Sequence, residues 1–371
     1  MKPVVKLAAI GDVMLARDVG RHFAESPDDF TQGLVHEVLR RYDIVCANLE
    51  NPVATGGRPC PGQNPHITFR AHPDTLHVLK SLNVNVVSLG NNHMLDYGEA
   101  ALVETLEHLD RVGIKWVGAG RDYEEANRPL ILSIGGRSFA FLSYSFIYSV
   151  NTRMATQGQP GIADHRLPGI LRRIRQLRQS GHEPIVMSHW GYEYSFYPLP
   201  YQMRAARRMI DAGAALILGH GPHYPQGIEE YRGRPIVYSL GNFIFDEPHK
   251  FANRSFIFGV EIDEQGTPSG QEIYPVHLRH HVPVLVADPE KGRLSRLIAN
   301  LTTRYLEQPQ RFWRSQSAAY LTDLCGRVLR NRSAKYLLVP PLSFYRDVGP
   351  SAILRKLKPS TFWGLLPFGS R

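Results

Sequence analysis

The stretch VNVVSLGNNH, residues 84–93, changes character partway along. Val84, Val86, Val87 and Leu89 suit a buried strand, since branched aliphatic side chains pack on a pleated surface. Gly90-Asn91-Asn92-His93 offers nothing to a core and much to a ligand. Five more runs end in the same manner. Val4–Ile10 leads into Gly11-Asp12, Ile44–Ala47 into Asn48-Leu49-Glu50, and Pro184–Met187 into Ser188-His189-Trp190. Ala214–Leu218 leads into Gly219-His220-Gly221-Pro222-His223, and Ile236–Leu240 into Gly241-Asn242-Phe243.

Between these runs, residues near 73–82, 98–112, 165–180 and 201–212 carry apolar side chains at helical spacing. Alternating strands and helices predict an α/β fold with largely parallel strands. In such sheets ligands bind beyond the carboxyl ends of the strands, where all six polar clusters fall. Four further runs, 130–134, 138–144, 256–262 and 272–278, are strand-like without motifs, and Gly135-Gly136 separates the first two as in a hairpin. They predict a second sheet or antiparallel edges.

Asp12, Glu50, Asn92, His189, His220 and His223 are chemically sufficient for two cations: a two-metal centre needs a bridging carboxylate between ions about 4 Å apart. Imidazole and carboxylate suit zinc, manganese or iron, and an amide oxygen adds a neutral hard ligand. Taken singly, each residue has a plain structural use. Asp12 could cap a helix, Glu50 could be a surface charge, Asn92 a turn residue, and each histidine a hydrogen-bonded core group. One fold accounts for all six together.

These motifs, in this order and with His189-Trp190-Gly191 and Ser239-Leu240-Gly241-Asn242-Phe243 among them, resemble those of the CapA (PgsA-like) capsule-synthesis proteins over residues 4–280. The resemblance implies a four-layer metallophosphatase-like α/β/β/α sandwich of the calcineurin-like superfamily and a link to poly-gamma-glutamate capsule. It further implies that Asp12 serves a first metal, Glu50 bridges, Asn92, His189 and His220 serve a second, and His223 returns to the first. His93 resembles the histidine that protonates a leaving oxygen, with Asp96 to orient it. Two positions depart from the phosphoesterase pattern: Met14 stands where Asp-x-His would place imidazole, and Glu50 is one methylene longer than the usual aspartate. CapA-like sequences share both. Around this centre, Arg17 and Arg70 are candidates for holding an anion, and Trp190 and Asn242 for lining a substrate groove.

Composition sets the bounds. With 43% hydrophobic and 21% charged residues the chain reads as globular, and three widely spaced cysteines form neither a disulfide framework nor a thiolate metal site. No run approaches the roughly 20 apolar residues of a spanning helix, so a cytoplasmic location is expected. Residues 291–371 hold fifteen Lys and Arg against three Asp and Glu, leaving residues 1–290 at −3. The expected domains are thus a CapA-like unit, 1–285, and an irregular basic extension, 286–371, whose Arg355, Lys356, Lys358, Phe362 and Trp363 suit peripheral contact with an anionic membrane at its inner face. The expected function is a metal-dependent, phosphoesterase-like hydrolase acting on or handling an anionic polymer or its phosphorylated or glutamyl precursor. A non-catalytic polymer-binding component and a nucleic-acid phosphoesterase are the alternatives. Against nucleic acid stands the lack of a basic, aromatic-interleaved stripe near the strand ends.

Overall fold

The computed structural model describes residues 4–307 apart from 148, 248 and 250. The chain divides into units Met1–Pro309 and Gln310–Arg371, and the second lies outside the described residues, as does the expected membrane contact. One sheet contains β1 (Val5–Val13), β2 (Ile44–Leu49), β3 (Val86–Ser88), β4 (Lys115–Val117), β13 (Asn242–Ile244), β14 (Arg254–Ile262), β15 (Pro268–Arg279) and β16 (Val282–Leu285). A small pair, β5 (Ala119–Gly120) and β8 (Gly161–Ile162), stands apart. The second large sheet contains β6 (Leu130–Ile134), β7 (Arg137–Ser145), β9 (Glu183–His189), β10 (Leu216–His220), β11 (Ile228–Tyr231) and β12 (Arg234–Val237).

The first sheet runs β16-β15-β14-β1-β2-β3-β4, parallel from β1 to β4 and antiparallel from β1 to β16, with β13 parallel beside β1. The second runs β11-β12-β10-β9-β7-β6, parallel in its centre with an antiparallel strand at each edge. Gly135 and Gly136, at φ 58° and 70°, make the tight β6–β7 turn that a side chain would strain.

Strand alternation makes the layers, since successive residues face opposite sides of a sheet. Leu7, Ala9, Ile44, Cys46 and Val86 meet Phe139, Phe141, Ile185, Met187, Leu216 and Leu218 across the two sheets. Their neighbours Ala8, Ile10, Val45, Ala47 and Val87 face the other way, towards a second core. That core is completed by helices α1 (Arg17–Glu25), α2 (Leu34–Leu39), α3 (Leu76–Ser81) and α4 (Gly98–Val112). Beyond the short α5 (Tyr123–Asn127), α6 (Leu167–Gln179) and α7 (Pro200–Asp211) pack against each other and against β9 and β10. The order is helix, sheet, sheet, helix: the expected four-layer α/β/β/α sandwich. Within the extension expected to be irregular, Glu290–Glu307 forms α8. It buries Leu294, Ile298 and Leu301, one face of a helix, against β11 and β15. Among the described residues no helix is long and apolar enough to cross a membrane.

Candidate metal centre

Register brings the polar strand ends level. Asp12 on β1 lies opposite Asn48 on β2 and Asn242 on β13, and His220 on β10 lies opposite His189 on β9. Asp12, Glu50 and His223 are buried, and each offers one ligand atom within 4.8 Å of the others. Glu50 Oε1 is the focus of the histidines, 3.6 Å from His223 Nε2, 3.8 Å from His189 Nε2 and 3.9 Å from His93 Nε2. Asp12 meets His223 Nδ1 at 3.4 Å through Oδ2 and accepts the Gly221 N–H on the same oxygen. His223 adopts φ 60°, a conformation a bulky residue holds only when its surroundings enforce it. Asn242 Oδ1, 2.8 Å from His223 Nδ1, is part of that enforcement.

Burial and charge pull the titrating groups apart. Burial, joined by the neighbouring Asp12 charge, holds the Glu50 carboxyl well above its usual range. Burial acts in the same direction on Asp12, but His220 and His223 outweigh it and hold that carboxyl far below. Burial drives His189 down to about 3, so its imidazole is neutral and its lone pair free for a cation. His223 would be lowered by burial too, yet Glu50 and Asp12 lift it to about 10. Two carboxylates and one proton-hungry imidazole crowded together are what a divalent ion resolves, because its charge lets both acids ionise.

Whether these residues fit a metal is tested by atoms left without partners. Among the described residues, the buried Asn92 Oδ1 and both ring nitrogens of His220 have no hydrogen bond. His220 Nδ1 lies 3.2 Å from Asp12 Oδ1, but out of line for one. Buried polar atoms in native proteins are normally satisfied, and here an amide oxygen and an imidazole, both of a kind that binds cations, are not. The donor set fits.

His93 sits beside this cluster with Nδ1 2.9 Å from Asp96 Oδ2. Asp96 also accepts from the Phe69 N–H at 2.7 Å, from Gln63 Nε2 at 2.8 Å and from Asn151 Nδ2. The Phe69 ring covers His93 with centroids 4.4 Å apart. Asn91 shapes the turn: its Oδ1 accepts the His93 N–H and its Nδ2 donates to Leu49 O and Asn48 Oδ1.

Each of the four candidate substrate residues is engaged by other groups of the protein. Arg17 is bound to both carboxylate oxygens of Asp246 and to His66 O, with its guanidinium 4.6 Å over the Phe69 ring. Arg70 donates to Thr55 O and Gly56 O and lies 4.4 Å over Tyr97. Trp190 corrects the groove reading: it is fully buried, and its indole N–H donates to Tyr238 O at 2.9 Å. Asn242 is likewise fully buried and bonds His223, so it orients a histidine and does not line a groove.

Sequence reasoning passed over Asn48, Gln63, Phe69 and Asn151. Asn48 Nδ2 reaches Asp12 Oδ1 at 2.9 Å, Glu50 Oε2 at 3.2 Å and His189 Nδ1 at 3.3 Å, joining both sheets. A signal for Asn48 existed, because it lies next to the end of β2, two residues before Glu50. Gln63, Phe69 and Asn151 lie in loops and carry none.

Fold and strand-end cluster together define a four-layer α/β/β/α protein with a buried candidate metal site. The chain belongs to the bacterial capsule synthesis protein family PGA_cap, whose model matches residues 6–247. It is 30% identical over 284 residues to the PGA biosynthesis protein CapA of Bacillus subtilis (strain 168), covering 76% of this chain and 74% of that one. To the capsule biosynthesis protein CapA of Bacillus anthracis it is 28% identical over 304 residues, 80% of this chain and 74% of the relative. Among solved structures, the Haemophilus influenzae NAD nucleotidase overlaps 79% of this chain and 55% of its own at 13% identity with a TM-score of 0.41.

Proposed function

We propose that this protein acts in the synthesis or processing of an anionic, glutamyl-type capsule polymer through a two-metal hydrolytic centre. The observation that carries this is the buried convergence of Asp12, Glu50, His189, His220 and His223, with both ring nitrogens of His220, and the Oδ1 of Asn92 beside His93 in the chain, unpartnered. Asp12 and His223 would hold a first cation, Asn92, His189 and His220 a second, and Glu50 both. Divalent cations bound there would supply positive charge to polarise a phosphoester, ester or amide oxygen. The protein's own part is proton handling: Asp96 holds the proton of His93 at Nδ1, fixing the tautomer, and His93 Nε2, turned towards Glu50, delivers a proton to the leaving atom. The relatives' names, PGA biosynthesis and capsule biosynthesis, support the polymer class.

Elemental analysis of the dialysed protein, with hydrolysis assays on phosphoester, gamma-glutamyl and acyl substrates, tests this reading. Retained divalent metal that Asp12→Asn abolishes, and turnover that His93→Ala reduces about a hundredfold, are expected. A metal-free, inert protein sinks it.

One observation favours a second reading, a non-catalytic polymer-binding component. Met14 is fully buried and its sulfur accepts the Ala16 N–H, so it adds no ligand to the first cation. If Asp12→Ala abolished polymer binding while His93→Ala left biological function intact, this reading would replace the first.

A further inference from the structure

Helices α6 and α7 cover the outer face of the second sheet, and their charge is lopsided. They carry seven arginines, Arg172, Arg173, Arg175, Arg178, Arg204, Arg207 and Arg208, against Asp211 alone, and no lysine. Since residues 1–290 sum to −3, everything in that span outside these two helices sums to −9. The two helices therefore carry a net positive charge against a net negative remainder of that span.

Burial separates the arginines by role. Arg178 and Arg207 are committed to Glu183 and Glu229, and Arg173 reaches Asn127 Oδ1 at 3.2 Å. Arg172 and Arg175 on α6, and Arg204 and Arg208 on α7, are exposed. Their spacings of three and four residues put each pair on one side of its helix. The opposite sides are fixed in the core by Ile170, Leu171 and Ile174 on α6 and by Met203, Ala206, Met209 and Ile210 on α7. Among the described residues, Arg172, Arg175 and Arg208 have no acidic partner. Gln176 and Gln179 are exposed beside the α6 pair.

We propose that this α6–α7 face is a second binding site, separate from the metal centre, that holds an extended polycarboxylate chain. It rests on the polymer class proposed above and adds the place where the polymer is held. Charge complementarity supports the occupant: guanidinium groups fork onto carboxylates, and a row of them on adjacent helices matches a ligand with regularly repeated charge. Exposed glutamine amides suit the amide groups linking a glutamyl chain. A single-stranded nucleic acid fits less well, because the exposed positions between the arginines offer no aromatic platform for bases.

The test is direct binding of poly-gamma-glutamate to the full chain, compared with the quadruple variant Arg172→Gln, Arg175→Gln, Arg204→Gln and Arg208→Gln. The C-terminal cations are the same in both proteins, so they cancel. All four sites are exposed, and circular dichroism with thermal melting checks that the variant folds. Expected are about tenfold or greater weakening and a shallower salt dependence between about 50 and 200 mM. Equal affinity of parent and quadruple variant overturns the proposal, as does a parent that does not bind the polymer. Single-stranded DNA of matched charge displacing the polymer at lower concentration from this face also overturns it and assigns the face to nucleic acid. A parent that holds no metal and hydrolyses nothing, yet binds polymer through these arginines, would count against the hydrolytic reading alone.

Discussion

Met14 is where the metal centre departs from the phosphoesterase pattern, and its surroundings say what it does instead. It is enclosed in the helix-side core, with its backbone N–H on Ile244 O and its sulfur on the Ala16 N–H. A packing role tolerates a side chain of similar volume. Met14→Leu is expected to leave metal stoichiometry unchanged and to cost less than about 1.5 kcal/mol in urea unfolding. Lost metal would make the thioether a ligand. Glu104 on α4 is a second residue whose chemistry can be read out. Against the burial that raises it, the N–H groups of Thr55 and Gly56, the Thr55 hydroxyl and His108 bring its carboxyl down to about 2. A carboxyl lowered on folding stabilises the protein above its ordinary value of 4.5 and loses that contribution as pH falls towards 2. Glu104→Gln should therefore cost about 1–2 kcal/mol at pH 7. The gap between variant and parent should close as urea midpoints are followed from about pH 5 to pH 2; a gap that does not change with pH would remove the charge from the explanation.

The strands that carry ligands approach one another where side chains would not fit. A Cβ added to Gly11 would lie 1.9 Å from Gly241 O, the acceptor of the Asp12 N–H. Gly11→Ala must push β13 away from β1, and with it Asn242 from His223. Destabilisation of about 3 kcal/mol or more is expected, and an unchanged unfolding midpoint would contradict the close approach. Elements with their own periodicity were legible in the sequence: α4 was read at its observed bounds, and β1, β2, β9 and β10 within a few residues. The polar ends of those strands were legible as a set, since each residue has a plain use alone but one fold places all six at strand ends. What escaped was held by distant partners. Residues 50–72 have no repeat to read, yet they deliver Gln63 and Phe69 to Asp96. Arg17 looked free in the sequence because Asp246, its partner, is 229 positions away. The helix α8 had its signal in Leu294, Ile298 and Leu301, obscured by the basic residues between them.

The candidate metal centre draws its residues from both halves of the sandwich, and this sets how the molecule should respond if bound metal is removed. Asp12 and Glu50 come from the first sheet, His189 and His220 from the second, and Asn48 and the Gly221 N–H hydrogen-bond across. Without cations, burial and the Asp12 charge push the Glu50 carboxyl up, and His220 and Asn92 leave buried polar atoms unpaired. Each of these is a cost borne by the folded state only, so metal that binds the folded chain alone shifts unfolding by mass action. At a free concentration one hundred times the dissociation constant the gain is about 2.7 kcal/mol. For a domain of this size that converts to roughly 5–10 °C in melting temperature. A chelator should lower the melting temperature of the parent by that amount and leave Asp12→Asn, which has already lost its site, nearly unmoved. Equal shifts in the two proteins would mean that the chelator acts elsewhere, and no shift in either would mean that the strand ends are held together by hydrogen bonds without metal.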